Sequence, residues 1–324
     1  MKNSKNSRRI VFMGTPDYAR KSLNALIQEN YNVAGVFTQP DRPKGRGKKI
    51  AISPVKELAL EHGIPVFQPR RIRAAEGVKA LGSLKPDICV TAAFGQILSQ
   101  EILDIPPLGT VNVHASLLPE YRGSSPINWC IINGEKTTGV TTMLTDAGID
   151  TGDILLKAET QIKKQETAGE LSLRLADLGA ELLIETLEKL FDGKISPIAQ
   201  DEAKASYYPM LNKAMGEMDF NMPAEKLQNL VLGLNPWPGA YINAPVGKIK
   251  IHRAEALDIA GNESPGTVLL ASPKEGLVIK AKDGALKILE LQAPSKRAME
   301  ASAYLRGNSI NEGKNILEES AYAG

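Results

Sequence analysis

Asn112, His114 and Asp150 are the residues of this chain whose types and spacing could do chemistry. The first two stand in Gly109-Thr-Val-Asn-Val-His-Ala-Ser-Leu-Leu-Pro119, and the third opens the later Asp150-Thr-Gly-Asp153. They bring together an amide that can donate hydrogen bonds, an imidazole that can pass a proton and a carboxylate that can hold the imidazole. The run Thr110 to His114 reads as a β-strand, so Asn112 and His114, two apart, point to the same face. A proline-terminated loop follows at once. Both side chains then lie at the carboxyl end of a strand, where open α/β sheets place their ligands. A single strand histidine is more often structural; the paired asparagine, the Ser-Leu-Leu-Pro and the Asp-Thr-Gly-Asp argue for a reaction centre here. The chain has three histidines; His62, before a helix-ending Gly63, and His252, in a β-like run, read as structural.

The elements that must position these residues alternate strand and helix. Strands are expected at Ile10 to Met13, Val33 to Thr38, Pro65 to Phe67, Ile88 to Thr91 and Thr110 to His114. Helices are expected over Pro16 to Asn30, from the N-cap Ser53 with Pro54 to Gly63, and around Ala74 to Leu84. Such alternation predicts an α/β fold with a doubly wound, mostly parallel sheet. Thr138 to Leu144 and Asp153 to Ala158 close it, and a capping box at Thr167-Ala-Gly-Glu170 starts a long amphipathic helix ending at Gly193. Residues 193–208 lose periodicity and read as a linker. Beyond it, a helix around Ala224 to Leu232 and five short β-rich segments from Ala240 to Leu291 predict a small C-terminal β-barrel of OB-like class. The expected division is a disordered tail over 1–8, a catalytic domain over 9–192, the linker, and a C-terminal domain over 209–324.

The 324 residues, 43% apolar and 23% charged with a net charge of +2, suit a soluble two-domain protein. No apolar run approaches the roughly 20 residues that span a bilayer, and no apolar core follows the basic start, so a cytoplasmic location with no membrane partner is expected, as a monomer. Cys89 and Cys130 lack ligand spacing and read as buried free thiols, with no metal site. Gly14-Thr15-Pro16 after the first strand invites a dinucleotide reading, but the glycine fingerprint is missing and Thr38-Gln39 stands where a ribose-binding acid is required, so NAD is not expected.

With Asn112, His114, Ser116-Leu-Leu-Pro119 and Asp150 in place, the chain resembles the 10-formyltetrahydrofolate-dependent formyltransferases. The blocks Phe12-Met-Gly-Thr-Pro-Asp-Tyr18, Thr38 to Lys49, Tyr121-Arg-Gly-Ser-Ser-Pro126, Asp146 to Asp153 and Asn235-Pro-Trp-Pro238 narrow the resemblance to the branch that formylates methionyl-tRNA. It implies that 10-formyltetrahydrofolate is the formyl donor, a co-substrate and not a resident group, and that initiator methionyl-tRNA is the acceptor. It further implies that Asn112 and His114 meet the oxyanion of the tetrahedral intermediate, with Asp150 holding the imidazole and taking the amine proton through water. A carboxylate at this position in such a loop also suits an Asx turn, and Asp153 is assigned to one. By the same resemblance Ser116, Leu117, Leu118 and Pro119, with Phe94, Gly95 and Ile97, form the slot for the pterin ring. Arg42, Lys44, Arg46, Lys48 and Lys49 form a loop that clamps the acceptor stem. Lys248, Lys250 and Arg253, alternating on a strand, are candidates for backbone contacts, and Trp237 is expected to pack between helix and barrel. A formyltransferase acting on a small amine, such as a nucleotide sugar or glycinamide ribonucleotide, is the alternative; such an acceptor needs no basic loop. A noncatalytic RNA-binding protein would not need the trio.

Overall fold

The computed structural model describes residues 7–44 and 49–322, with the side chains of Lys44 and Lys49 outside that set. The described chain forms two compact units. The first comprises the described residues up to Gly123 with Thr137–Gln161 and Ser172–Tyr208; the second comprises Ser124–Lys136, Ile162–Leu171 and the described residues from Pro209 onward.

The strands of the first unit are β1 (Arg9–Gly14), β2 (Asn32–Phe37), β3 (Arg42–Lys44), β4 (Lys49–Ala51), β5 (Val66–Phe67), β6 (Ile88–Ala92), β7 (Thr110–His114), β8 (Arg122–Gly123), β9 (Thr137–Leu144), β10 (Ile154–Gln161) and β11 (Tyr207–Tyr208). Seven of them form one sheet in the order β10-β9-β7-β6-β1-β2-β5. The ladders from β5 to β7 are parallel, and β9 and β10 run antiparallel at one edge. The expected mostly parallel sheet is therefore present. Helices α1 (Asp17–Gln28), α2 (Pro54–Glu61), α3 (Ala75–Ser83) and α4 (Gln100–Leu103) connect the parallel strands. All five residues of β6 are buried, as a strand covered on both faces requires. The strand order reverses at β1, whose neighbours are β2 and β6, which makes the carboxyl ends there the switch point. Gly14 ends β1 because nothing larger fits: a Cβ would stand 2.9 Å from the Ala92 carbonyl oxygen and 2.7 Å from the Ala19 Cβ.

Local signals hold where they were strong. Ser53 Oγ accepts from the Lys56 amide at 3.0 Å, as an N-cap should. Thr167 and Glu170 exchange the capping-box bonds, Thr167 N donating to Glu170 Oε2 (2.8 Å) and Glu170 N to Thr167 Oγ1 (3.2 Å). They open the long helix after Thr167, Ala168–Phe191, numbered here after one further helix in the second unit.

Residues 193–208 differ from a linker. Ile198 bridges Ile154, and β11 pairs in parallel with β8. The absence of periodicity there reflects bonding through single side chains, which no pattern of apolar residues encodes. The basic loop also has regular ends, because β3 and β4 pair antiparallel as a hairpin.

In the second unit, α5 (Pro126–Ile132) starts after Ser125, which is left-handed at φ 63°. The long helix above is then α6, and α7 (Ala224–Gly233) and α8 (Ala301–Leu305) complete the set. Strands β12 (Ala240–Ala244), β13 (Gly247–Leu257), β14 (Val268–Ser272), β15 (Gly276–Lys280), β16 (Ala285–Gln292) and β17 (Met299–Glu300) form an antiparallel sheet in the order β12-β13-β16-β15-β14, with β17 on β16. The expected C-terminal β domain is present as an antiparallel sheet, with β12 and β14 at the two ends of its ladder. Its inward face, with Ile242, Ile249, Ile251, Leu286 and Ile288, packs in one core with Leu227 and Val231 of α7.

Candidate active site

Two members of the proposed trio are aimed by one strand and the third by a turn. Asn112 and His114 are adjacent same-face positions near the carboxyl end of β7, beside β6 on one side and β9 on the other. Thr91 is the register partner of Asn112 on β6, and its hydroxyl donates to Asn112 Oδ1 at 2.9 Å. A hydroxyl can donate or accept, so the amide's orientation is decided on its other side, where the Asp150 carboxylate can only accept. Asn112 Nδ2 therefore faces Asp150 Oδ1, at 3.4 Å.

His114 is nearly enclosed. Its Nε2 is 3.0 Å from the Tyr121 carbonyl oxygen. A carbonyl can only accept, so Nε2 carries a hydrogen and Nδ1 is the nitrogen that exchanges a proton. Nδ1 lies 3.6 Å from Asp150 Oδ1. The tautomer is thus set by a backbone carbonyl, a partner absent from the expectation that assigned this task to Asp150. Asp150 Oδ1 is common to the amide and the ring.

Asp150 reaches them from the turn between β9 and β10, with a left-handed φ of 53°. The carboxylate that shapes this turn is Asp146, which accepts from the Gly148 amide (3.1 Å) and the Thr151 hydroxyl (2.7 Å). The Asx-turn alternative belongs to Asp146, and the carboxylate of Asp150 is left to other partners. Its Oδ2 accepts from the Gly123 amide at 2.8 Å. Ala93 (φ 43°) and Tyr121 (φ 60°) are also left-handed. Non-glycine residues held there cluster at functional sites, where surrounding bonds over-determine the backbone.

Behind the trio stands Arg122, with no exposed surface. Its Nε and Nη2 donate to Gln200 Oε1 (3.0 and 2.9 Å), its Nη2 and Nη1 to Glu202 Oε1 and Oε2 (2.7 and 2.9 Å), and its Nη1 to the Tyr207 hydroxyl (2.7 Å). All five guanidinium hydrogens are used. The Glu202 pairing holds the guanidinium proton more tightly still, and Arg122 in turn keeps the Glu202 carboxyl below its usual range.

Two family models match this chain: "Formyl transferase" over residues 8–187, and "Formyl transferase, C-terminal domain" over residues 210–309. The chain belongs to the formyl transferase family. It is 49% identical over 310 residues to the methionyl-tRNA formyltransferase of Ruminiclostridium cellulolyticum, covering 95% of this chain and 99% of the relative. It is 52% identical over 307 residues to that of Acetivibrio thermocellus, covering 94% and 98%. Among solved structures, an N-formyltransferase from Helicobacter canadensis in complex with folinic acid and dTDP-3-aminofucose shares the fold. The TM-score is 0.64 at 18% identity, over 86% of this chain and 97% of that one.

The other expected site residues of this formyl transferase are placed less uniformly. Ser116 and Leu118 point inward. Ser116 Oγ donates to the Glu120 carbonyl oxygen (2.7 Å), and Leu118 packs with Met143 and Ile154. The Leu118 amide donates to Thr141 Oγ1 (3.1 Å), and its carbonyl oxygen accepts from Lys157 Nζ. A ring could touch Leu117 and Pro119, which are half-buried, but not the Ser116 or Leu118 side chains. Phe94 belongs to the core around Val11, Met13 and Phe37, whereas Ile97 is exposed. Gly95, left-handed at φ 75°, offers only backbone, and its carbonyl oxygen already accepts from Gln39 Nε2 at 3.0 Å.

Arg42 is exposed on β3, Lys44 and Lys49 pair at the ends of β3 and β4, and Arg46 and Lys48 lie outside the described residues. The hairpin stands on a polar base: Asp41 accepts from Lys56 and from Gln68 (2.8 Å), and Gln68 also donates to the Gln39 carbonyl oxygen (2.8 Å). Thr15, Pro16, Gln39, Arg42 and Ile52 line a cavity of about 310 Å³ beside it.

In the second unit the alternation of Lys248, Lys250 and Arg253 is broken by irregular pairing between Ile251 and Ala254. Lys248 and Lys250 are exposed, but Arg253 Nη2 donates to Glu170 Oε1 at 2.6 Å. Trp237 does not fill the packing role expected of it, since more than half of it, 54%, is exposed. The anchoring falls to Asn235, whose Nδ2 donates to the His252 carbonyl oxygen (2.8 Å) and whose carbonyl oxygen accepts from the Gly169 amide (3.0 Å).

Missed from sequence were Thr91, the Tyr121 carbonyl, Arg122, Gly123 and Gln200. Arg122 and Gly123 lie inside a block quoted for the resemblance. Arg122, between Glu120-Tyr121 and Gly123-Ser-Ser125, reads as an ordinary loop cation and carried no chemical signal of its own, and Gln200 carried none.

Proposed function

We propose that this chain transfers the formyl group of 10-formyltetrahydrofolate to the α-amino group of initiator methionyl-tRNA, working in the cytoplasm with the charged tRNA as its macromolecular partner. The observation that carries the reading is the convergence of Asn112 Nδ2 and His114 Nδ1 on Asp150 Oδ1, at 3.4 and 3.6 Å. Two nitrogens and a carboxylate oxygen around one point suit a carbonyl carbon that is becoming tetrahedral. The amine lone pair attacks the formyl carbon, and the charge that gathers on the formyl oxygen is met by Asn112 Nδ2–H and by Nδ1 of His114 when protonated. Asp150 Oδ1 receives the proton of the attacking amine. As the bond from carbon to the folate nitrogen breaks, a proton returns to that nitrogen, so the donor leaves as tetrahydrofolate. The folate ring is assigned to the stretch of Leu117, Pro119, Gly95 and Ile97, largely through backbone and apolar contact. The tRNA is assigned to the basic hairpin and to the second unit.

The acceptor is read as tRNA because a hairpin carrying Arg42, Lys44 and Lys49 stands at the carboxyl end of the sheet. A run of cations there suits the many charges of a phosphate backbone better than an amine carrying one or two phosphates. The test is formyl transfer to methionyl initiator tRNA, methionyl elongator tRNA and a panel of amino sugar nucleotides. Transfer confined to the initiator tRNA is the expected result. Transfer to a small amine alone would keep the trio and overturn the tRNA reading.

A further inference from the structure

Asp150 owes its position to residues outside the trio. The carbonyl oxygen of Asp150 and that of Gly152 both accept from Gln200 Nε2, at 2.8 and 2.7 Å. This uses both hydrogens of the amide. The other end of the same amide, Oε1, is gripped by Nε and Nη2 of Arg122. Arg122 can only donate, so Gln200 cannot turn over: its oxygen must face the guanidinium and its nitrogen must face the turn. The residue after Arg122, Gly123, donates its amide to Asp150 Oδ2 at 2.8 Å. One buried side chain and its neighbouring amide thus fix the backbone of Asp150 and one oxygen of its carboxylate. The remaining oxygen, Oδ1, faces Asn112 and His114.

We infer that Arg122 and Gln200 are positioning residues, a clamp that holds the left-handed Asp150 turn so that Oδ1 is presented to Asn112 and His114. The inference rests on the catalytic role proposed for Asp150. The clamp is drawn from distant sequence, since Gln200 and the Glu202 and Tyr207 that complete Arg122's bonding all lie in the 193–208 segment. That segment is therefore part of the catalytic apparatus. A displacement of about 1 Å at a reacting group costs on the order of 10²-fold in rate, so losing the clamp should act on turnover more than on binding.

The test uses the full chain with Gln200→Leu and Gln200→Glu. The first removes both ends of the clamp. The second keeps an acceptor for Arg122 but turns an oxygen on the two carbonyls that Nε2 held. Both should lower kcat on the order of 10²-fold while leaving KM for folate and tRNA within about twofold, the pattern of an interaction made in the transition state. A second readout is the ¹⁵N spectrum of the histidine rings. There are three histidines, and a His114→Gln variant assigns the signals of His114. In both Gln200 variants the His114 ring signals should shift, with those of His62 and His252 unmoved. A purely structural Gln200 predicts the opposite for Gln200→Glu, with the Arg122 pairing, the rate and the His114 signals all retained. Unmoved His114 signals in both variants would overturn the clamp. Shifted signals together with full turnover by Asp150→Asn would leave the clamp standing and remove Asp150 from the chemistry. If Gln200→Leu does not fold, Gln200→Glu carries the measurement alone.

Discussion

Replacing Thr91 with valine removes one hydroxyl and keeps the shape of the side chain. Among the described residues its one lost bond is the one that steadies Asn112, Oγ1 to Oδ1 at 2.9 Å. A neutral hydrogen bond of this kind is worth about 0.5–1.5 kcal/mol net. If that whole amount holds the Asn112 side chain in its working position, losing about 1 kcal/mol changes the ratio of placed to displaced forms by roughly fivefold. A displaced amide no longer points Nδ2 at the developing oxyanion, so it is inactive. The weak contact of Nδ2 with Asp150 still favours the working orientation. Turnover by Thr91→Val should therefore fall by about two- to fivefold, and KM for either substrate should not change.

Asn112→Ala deletes the donor itself, and loss of one such donor typically costs about 10²–10³ in kcat. The two changes together decide the matter. Thr91 acts through Asn112 alone, so adding Thr91→Val to Asn112→Ala should cost nothing further, an interaction of the same size as the Thr91 effect. Steady-state kcat at saturating folate and methionyl-tRNA measures all four forms. Equal losses from Thr91→Val with and without Asn112 would refute the argument, because Thr91 would then be acting elsewhere.

Arg42→Ala should raise KM for charged tRNA and make log KM less steep in log salt by about one phosphate's worth, checked by titration between low and moderate ionic strength. Asp41 is held below the ordinary carboxylate range first by its bond from Lys56 and then by Gln68. Its stabilisation is therefore complete above the unfolded value of about 3.9 and is lost as the pH falls below it. Hydrogen exchange of the β3 and β4 amides should rise there in the native chain, and Asp41→Asn should show that faster exchange already at neutral pH. Gly14→Ala should destabilise the chain by about 1–3 kcal/mol, read by denaturant melting, since its methyl meets a backbone oxygen that cannot retreat. Trp237→Ala should shift stability by no more than about 0.5 kcal/mol, as for an exposed site.

The legible parts of this molecule are those written in local pattern. Alternating strands and helices, the capping box at Thr167 and the N-cap at Ser53 are decided within a few residues, and they appear where the sequence puts them. Asn112 and His114 were legible for the same reason, since strand period alone sets them on one face. Short elements such as α4 and α8 hold too few residues to show a period. The β8–β11 ladder joins residues 122–123 to 207–208, a pairing with no local signature at either end. Trp237 misled because its size suggested burial, whereas the anchoring at that corner is done by the backbone and amide of Asn235.

The same distinction explains how the site divides between pattern and bonding. A side chain on a strand inherits its aim from the sheet, so Asn112 and His114 need only a finishing contact each, from the Thr91 hydroxyl and the Tyr121 carbonyl. A side chain on a turn inherits nothing. Asp150 sits at φ 53°, outside the ordinary backbone regions, and must be held by explicit bonds from Gly123 and Gln200. Those bonds come from sequence-distant partners because the residues nearest the turn are already spent on Asp146. A side chain aimed by its element should tolerate changes around it better than one aimed by a network. Removing Thr91's hydroxyl should therefore cost only a few-fold, and removing the Gln200 amide far more.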